Sequence, residues 1–332
     1  MKISKGLRIT LIILVVLVAI ILAGPRMPKP VFNPELPDMH YTPREVAELV
    51  AQENHDSLNI RPGNGSILHW ANDSAPAMTK YVLLYLHGFS ASPMEGFPTH
   101  LNLAMEFGMN AYIPRLAEHG LETDEPLLHM TPDSLWESAK NALVIARSMG
   151  RKVILMGTST GGTLALKMAA DYPNLIDALI LYSPNIRIAD KSSVLLARHW
   201  GLQIGRLILG SKYRTVEMSD DEKPYWYTKY RIEALVYLQQ MLENTMKAET
   251  FQAVHQPVFT GYYYKDENHQ DNVVSVTAIR WMLDNLGTDP SQVESVAFDD
   301  AGTHVIGCSL TNPHWDEVFN ATEKFMKNIL SL

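Results

Sequence analysis

The residues best placed to do chemistry stand in one short run, Gly157-Thr158-Ser159-Thr160-Gly161-Gly162. An apolar stretch, Lys152–Met156, leads into it, and a small-residue stretch with helical character, Gly161–Asp171, follows. This is a G-x-S-x-G turn between a strand and a helix, which presents a serine hydroxyl at a sheet edge. The glycines answer a steric need, because a Cβ on either flank would meet neighbouring backbone. The following helix N-terminus adds free N–H groups and positive potential. A serine so placed is a candidate nucleophile, and Ser159 is that candidate.

A hydroxyl needs a base, and a base needs an acid to orient it, expected in the chain order serine, acid, histidine. His304, in Asp300-Ala301-Gly302-Thr303-His304, lies just past the last expected strand, where loops converge on the site in such sheets. It is preferred as general base to His314, at a helix start, and to His269, in the acid-bearing loop. For the acid, Asp271 precedes a helix start at Asn272-Val273-Val274-Ser275, while Asp266 sits nearer the strand end. Asp271 is preferred and Asp266 stays open. Either aspartate could instead cap a helix or carry a solvated loop charge.

Two N–H donors should meet the oxyanion of an acyl intermediate. Thr160, next after the serine, supplies one. Phe89, in His87-Gly88-Phe89-Ser90 after an early strand, supplies the other. His87 is read as structural, packed behind that loop. The single cysteine, Cys308, rules out an intrachain disulfide and is read as a small buried side chain.

These residues need elements to hold them. Apolar strand-like runs at Tyr81–Leu86, Asn110–Ile113, Lys152–Met156, Asp177–Tyr182, Pro257–Tyr264 and Val293–Phe298 alternate with helix-like runs. The helix-like runs are Pro98–Gly108, a helix opening at Thr131-Pro132-Asp133 and stopping at Gly150, Gly161–Asp171, Val273–Leu286 and Asn312–Leu330. Such alternation predicts an α/β protein with a mostly parallel sheet flanked by helices. Residues 186–255 break the rhythm. They show no clear strand and carry Trp200, Tyr225, Trp226, Tyr227, Tyr230, Met241 and Met246, so a helical insertion is expected there.

The N-terminus differs in kind. Lys2, Lys5 and Arg8 precede an apolar run from Ile9 to Ala23 broken only by Thr10, and Gly24-Pro25-Arg26 closes it. This is an uncleaved signal-anchor or a cleaved signal peptide, with Ile21 disfavouring cleavage after Ala23. Basic flanks stay cytoplasmic, so the body is expected outside the cytoplasm: membrane-anchored, periplasmic if bacterial, or secreted after cleavage. Residues 1–30 are assigned to this segment, with a proline-rich linker over 25–40, and residues 31–332 to the body. Residues 1–30 hold five basic side chains and no acid, so the body carries the whole acidic excess behind the net charge of −8. That excludes nucleic acid as a partner.

Leu86-His87-Gly88-Phe89, Arg115-Leu116-Ala117-Glu118-His119-Gly120, the Ser159 elbow, Asp271-Asn272-Val273-Val274-Ser275 and Gly302-Thr303-His304 together resemble the α/β-hydrolase superfamily, in particular bacterial carboxylesterases and monoacylglycerol lipases. The resemblance spans about residues 65–332. It implies an α/β-hydrolase fold with a helical lid, here residues 186–255, and a serine hydrolase cleaving small-molecule or lipid carboxylic esters without a cofactor or metal. It also supports Asp271 as the acid. The threonines flanking Ser159 depart from the His, Leu or Met of many relatives. A serine at the elbow excludes the epoxide hydrolases and dehalogenases of this fold, which use aspartate. A thioesterase, acyltransferase or peptidase on the same residues, or a catalytically silent membrane-tethered binding protein, are the alternatives.

Overall fold

The computed structural model describes residues 5–56 and 59–330. Lys2 of the basic flank and the ends of the two assigned segments, residues 1 and 332, lie outside them. In chain order the helices are α1 (Lys5–Leu22), α2 (Pro43–Asp56), α3 (Thr99–Glu106), α4 (Pro132–Arg147), α5 (Thr160–Asp171), α6 (Gly201–Leu209), α7 (Ile232–Thr245), α8 (Ala248–Gln252), α9 (Val276–Asp284) and α10 (Trp315–Leu330). The strands are β1 (Ile67–His69), β2 (Thr79–Leu86), β3 (Asn110–Ile113), β4 (Gly150–Thr158), β5 (Ala178–Tyr182), β6 (Tyr213–Thr215), β7 (Lys229–Arg231), β8 (Val258–Asp266), β9 (His269–Gln270) and β10 (Val293–Phe298).

One sheet runs β1-β3-β2-β4-β5-β8-β10, with β9 folded back on β8. Its central pairings are all parallel, and only β1 on β3 and β9 on β8 are antiparallel. Alternate residues of each strand serve opposite faces, as the two-residue period of a strand requires. Val82, Leu84, Leu86, Val153, Leu155, Leu179 and Leu181 join one apolar cluster with α4, α5, α7 and α9. Tyr81, Leu83, Tyr85, Ile154, Met156, Ile180 and Tyr182 join the other with α3 and α10. The continuous apolar runs in the sequence are thus strands buried on both faces. Helix entry is equally local. Thr131 and Ser134 form a reciprocal capping box around Pro132 at the start of α4, and Ser275 accepts the Ala278 N–H at the start of α9.

Two expectations are corrected. Gly150 does not stop the helix before it. α4 ends at Arg147, with Ser148 as its cap, and Gly150 opens β4, where a Cβ would stand 2.6 Å from that of Val82. The segment between β5 and β8 is not purely helical, since β6 and β7 form an antiparallel pair within it. The proline-rich stretch has no regular structure, yet it is tied to the body. The Val31 and Phe32 amides donate to Asp133, and Trp136 Nε1 and Lys140 Nζ donate to the Asn33 carbonyl. Helix α2 and strands β1 and β9 were not foreseen.

α1 is apolar, has no buried residue, and is long enough to cross a membrane by length and composition. A signal anchor and a signal peptide both satisfy that description.

Candidate active site

β4 delivers Ser159 into a turn that only this sequence pattern permits. Ser159 has φ 53° and ψ −116°, a conformation that costs a non-glycine residue roughly 1–3 kcal/mol. The surroundings enforce it. The Ser159 N–H donates to Tyr182 O at 2.9 Å, and its carbonyl accepts the Thr163 and Asn185 amides at 3.1 and 3.0 Å. A Cβ on Gly161 would stand 1.9 Å from Leu86 O, and one on Gly157 would stand 2.5 Å from the Gly161 backbone. Glycine at both positions is therefore a packing requirement.

The two loops after β9 and β10 bring the acid and the imidazole together. His304 Nδ1 lies 2.6 Å from Asp271 Oδ2. The other carboxylate oxygen, Oδ1, accepts the Val273 and Val274 amides at 2.8 and 3.0 Å, so the side chain is locked. Burial would raise the Asp271 pKa, but the His304 charge and hydrogen bond, with those two amides, outweigh it and hold the pKa below its usual value. His304 is the mirror case. Burial would lower its pKa, while Asp271, and more weakly Glu95, raise it above 6.5. His304 Nε2 is buried and carries no hydrogen bond among the described residues. The His304 side chain lines the cavity that Ser159 also lines.

Asp266 is elsewhere. It caps its own turn through the Asn268 and His269 amides and meets His269 Nδ1 at 2.9 Å, all exposed to solvent. His314 is exposed as well. The structure thus brings Ser159, Asp271, His304 and Phe89 to one region, and leaves Asp266, His269 and His314 outside it.

The Phe89 and Thr160 amides have no protein acceptor among the described residues. Phe89 and Ser159 share the cavity wall, and a Cβ on Gly88 would stand 3.1 Å from that of Ser159, so the two loops are in close approach. His87 is fully buried behind them. Its Nδ1–H donates to Gly88 O and its Nε2 accepts the Leu116 amide, which fixes a neutral tautomer, and burial drives its pKa well down. His119 holds the Ser90 amide in the same way. Cys308 is buried, with its thiol pKa pushed up to about 11 by burial.

Sequence reasoning missed Glu95. It is buried, lines the cavity, accepts the Gly88 amide, and lies 3.3 Å from the Tyr85 hydroxyl, which in turn meets Thr158 Oγ1 at 3.0 Å. Burial raises its pKa to about 7 against the pull of Gly88, His304, Tyr85 and Trp226. The available signal was its place in a tight turn, Ser92-Pro93-Met94-Glu95-Gly96, directly after the His-Gly-Phe loop.

The cavity holds about 590 Å³. Leu195, Leu196, Ile204, Leu209, Leu235 and Val305 give it an apolar wall, largely from the segment between β5 and β8. That segment is clamped to the body by charge. Arg231 meets Glu125 at 2.7 Å and Lys212 meets it at 3.0 Å, while Glu233 of the same segment holds Arg231 in place at 2.5 Å.

A mostly parallel sheet whose central strand ends in a strained serine turn is the α/β-hydrolase fold, and the chain is an α/β-hydrolase in architecture. Residues 133–260, less than half of the chain, match the family described as serine aminopeptidase, S33. No curated protein matches by sequence. Among solved structures, one described with the metagenome-derived lipolytic enzymes LipS and LipT is 16% identical with a TM-score of 0.64, over 81% of this chain and 99% of that one. The monoacylglycerol lipase of Paleococcus ferrophilus is 14% identical with a TM-score of 0.58, over 79% and 97%. Est1E of Butyrivibrio proteoclasticus, with ferulic acid bound, is 17% identical with a TM-score of 0.53, over 81% and 96%. The chain thus resembles esterases and lipases of this fold.

Proposed function

We propose that this chain is a membrane-anchored serine hydrolase that cleaves carboxylic esters through an acyl-enzyme on Ser159. The observation that carries the proposal is the His304 imidazole. One nitrogen is held by buried Asp271, and the other is buried without a hydrogen-bond partner among the described residues, on a side chain that lines the same cavity as Ser159.

Ser159 Oγ attacks the ester carbonyl carbon while its proton passes to His304 Nε2. The Phe89 and Thr160 amides hold the oxyanion, and Asp271 stabilises the imidazolium. The C–O bond then breaks, and the alcohol leaves with the proton from His304. Water attacks the acyl-serine by the reverse proton path and releases the acid. The apolar wall suits an acyl chain, and residues 186–255 act as the lid that supplies it. Residues 1–30 anchor the body, residues 31–332, outside the cytoplasm.

A fluorophosphonate probe tests the nucleophile: wild type is labelled and Ser159→Ala is not. Labelling of both, or of neither, would refute the role of Ser159. The match to a family described as serine aminopeptidases, with Asp190, Glu217 and Glu222 on the cavity wall, supports a second reading as a peptidase. Turnover of p-nitrophenyl esters, against turnover of aminoacyl p-nitroanilides, separates the two.

A further inference from the structure

α1 does not leave the body on a free tether. At its end the Trp200 indole N–H donates to Ile20 O at 3.1 Å, His199 Nδ1 stands 2.7 Å from Gly24 O, and the Trp200 amide donates to Pro25 O at 2.8 Å. Gly24 is buried in this seat, and a Cβ there would stand 1.9 Å from the indole nitrogen. Trp200 is also the N-cap of α6. The membrane-length helix therefore abuts the insertion directly.

Around that seat the insertion exposes apolar side chains that the rest of the fold leaves uncovered. Val194 and Leu195 precede Trp200, and Leu207 and Ile208 follow it, with Leu207 82% and Ile208 72% exposed. At ~1.5 Å per helical residue, Ile208 lies only about 12 Å along α6 from the seat. Exposed large apolar residues elsewhere on the body, such as Val31, Met78, Phe97 and Met105, are spread over separate elements. Leu195 and Ile208 have a second role, because they also line the cavity that holds Ser159. The uncovered patch and the cavity wall are thus continuous.

We propose that α1 seats the α6 edge of the insertion on the bilayer surface, so that the cavity opens toward lipid and takes its acyl chain from there. The substrate class is then a bilayer-resident acyl ester, a conclusion that rests on the ester-hydrolase reading above. If α1 lies in hydrocarbon, Ile20 and Gly24 are at its end, and Trp200 is held there with them. An apolar edge rooted at that point meets the interface, where such side chains are favoured.

The full-length protein, in phosphatidylcholine vesicles carrying monoolein, is compared with the same preparation acting on soluble p-nitrophenyl butyrate. Val194→Ser with Leu207→Ser removes apolar surface without touching the cavity wall. Its rate on monoolein should fall about fivefold or more, with butyrate turnover within about twofold of wild type. Trp200→Ala, which breaks the seat, should give the same split. Equal effects on both substrates, or none, would overturn the proposal. So would a mature chain that has lost residues 1–23. Docking has its own readout: an environment-sensitive dye on Leu207→Cys should be quenched by brominated lipid, and water-like emission without quenching refutes docking. Quenching with turnover of neither ester would retain the docked edge and defeat the ester-hydrolase reading.

Discussion

Two aspartate–histidine pairs stand in neighbouring parts of the same molecule, and chemically they are twins. Asp271 meets His304 Nδ1 at 2.6 Å, and Asp266 meets His269 Nδ1 at 2.9 Å. Their surroundings differ. The Asp271 and His304 side chains are 0% and 12% exposed, whereas those of Asp266 and His269 are 52% and 64% exposed. In solvent the attraction is screened and both groups can be satisfied by water. Under the loops after β9 and β10, the carboxylate spends one oxygen on two amides and, among the described residues, has only the imidazole for the other. Burial turns an ordinary turn contact into a locked pair that fixes the imidazole tautomer, which is what the proposed base requires.

The largest expected effect breaks the pairs one at a time. Asp271→Asn should lower kcat on a p-nitrophenyl ester by ~10⁴-fold, because an amide cannot hold the required tautomer or stabilise the imidazolium. Asp266→Asn should leave it within about twofold, as a surface turn substitution does. A large loss from Asp266→Asn with little from Asp271→Asn would reverse the assignment.

A smaller effect is a shift in pH dependence. The proposed mechanism needs neutral His304, and its pKa is raised above 6.5. The acid limb of kcat/KM should therefore have its midpoint above 6.5, with activity lost as pH falls through it. In the residual activity of Asp271→Asn the main raising influence is gone while burial remains, so the midpoint should move to lower pH. A limb that stays in place would mean that some other group controls it.

The same contrast explains what could be read from the sequence. The elbow was legible because Gly157, Ser159 and Gly161 answer local constraints, each contact lying within the turn or on the adjacent strand end. Asn110–Ile113 and Val293–Phe298 were bounded residue for residue, the first following a turn at Phe107-Gly108 and the second a 3-10 turn at Pro290–Gln292. The preference for Asp271 over Asp266 came from spacing and resemblance, whereas the difference between them is tertiary burial, which neither aspartate advertises. The β6–β7 pair was hidden for a related reason. Tyr213–Thr215 and Lys229–Arg231 are three residues each, polar, and held by Arg231 ion pairs to Glu125, far away in the chain. Glu95 had only its place in a tight turn to mark it, because a charge in a loop normally stays in water and only the packing of Tyr85, Gly88 and Trp226 around it removes it.

Glu95 supplies the smallest effect and a third point for the comparison, a buried carboxylate with no bonded histidine. Its pKa is raised from 4.5 to about 7, so the folded protein binds a proton there that the unfolded chain releases at lower pH. The sign follows from linkage. A raised acid pKa stabilises the fold below about 4.5, and that contribution is lost as pH rises through about 7. The span corresponds to on the order of 3 kcal/mol at most. Glutamine keeps an oxygen for the Gly88 amide and removes the titration. Across pH 5 to 8 the melting temperature of wild type should therefore drop by several degrees relative to that of Glu95→Gln. A difference that is flat across that range would mean that Glu95 keeps one protonation state throughout, charged if its neighbours outweigh burial and neutral if burial outweighs them further.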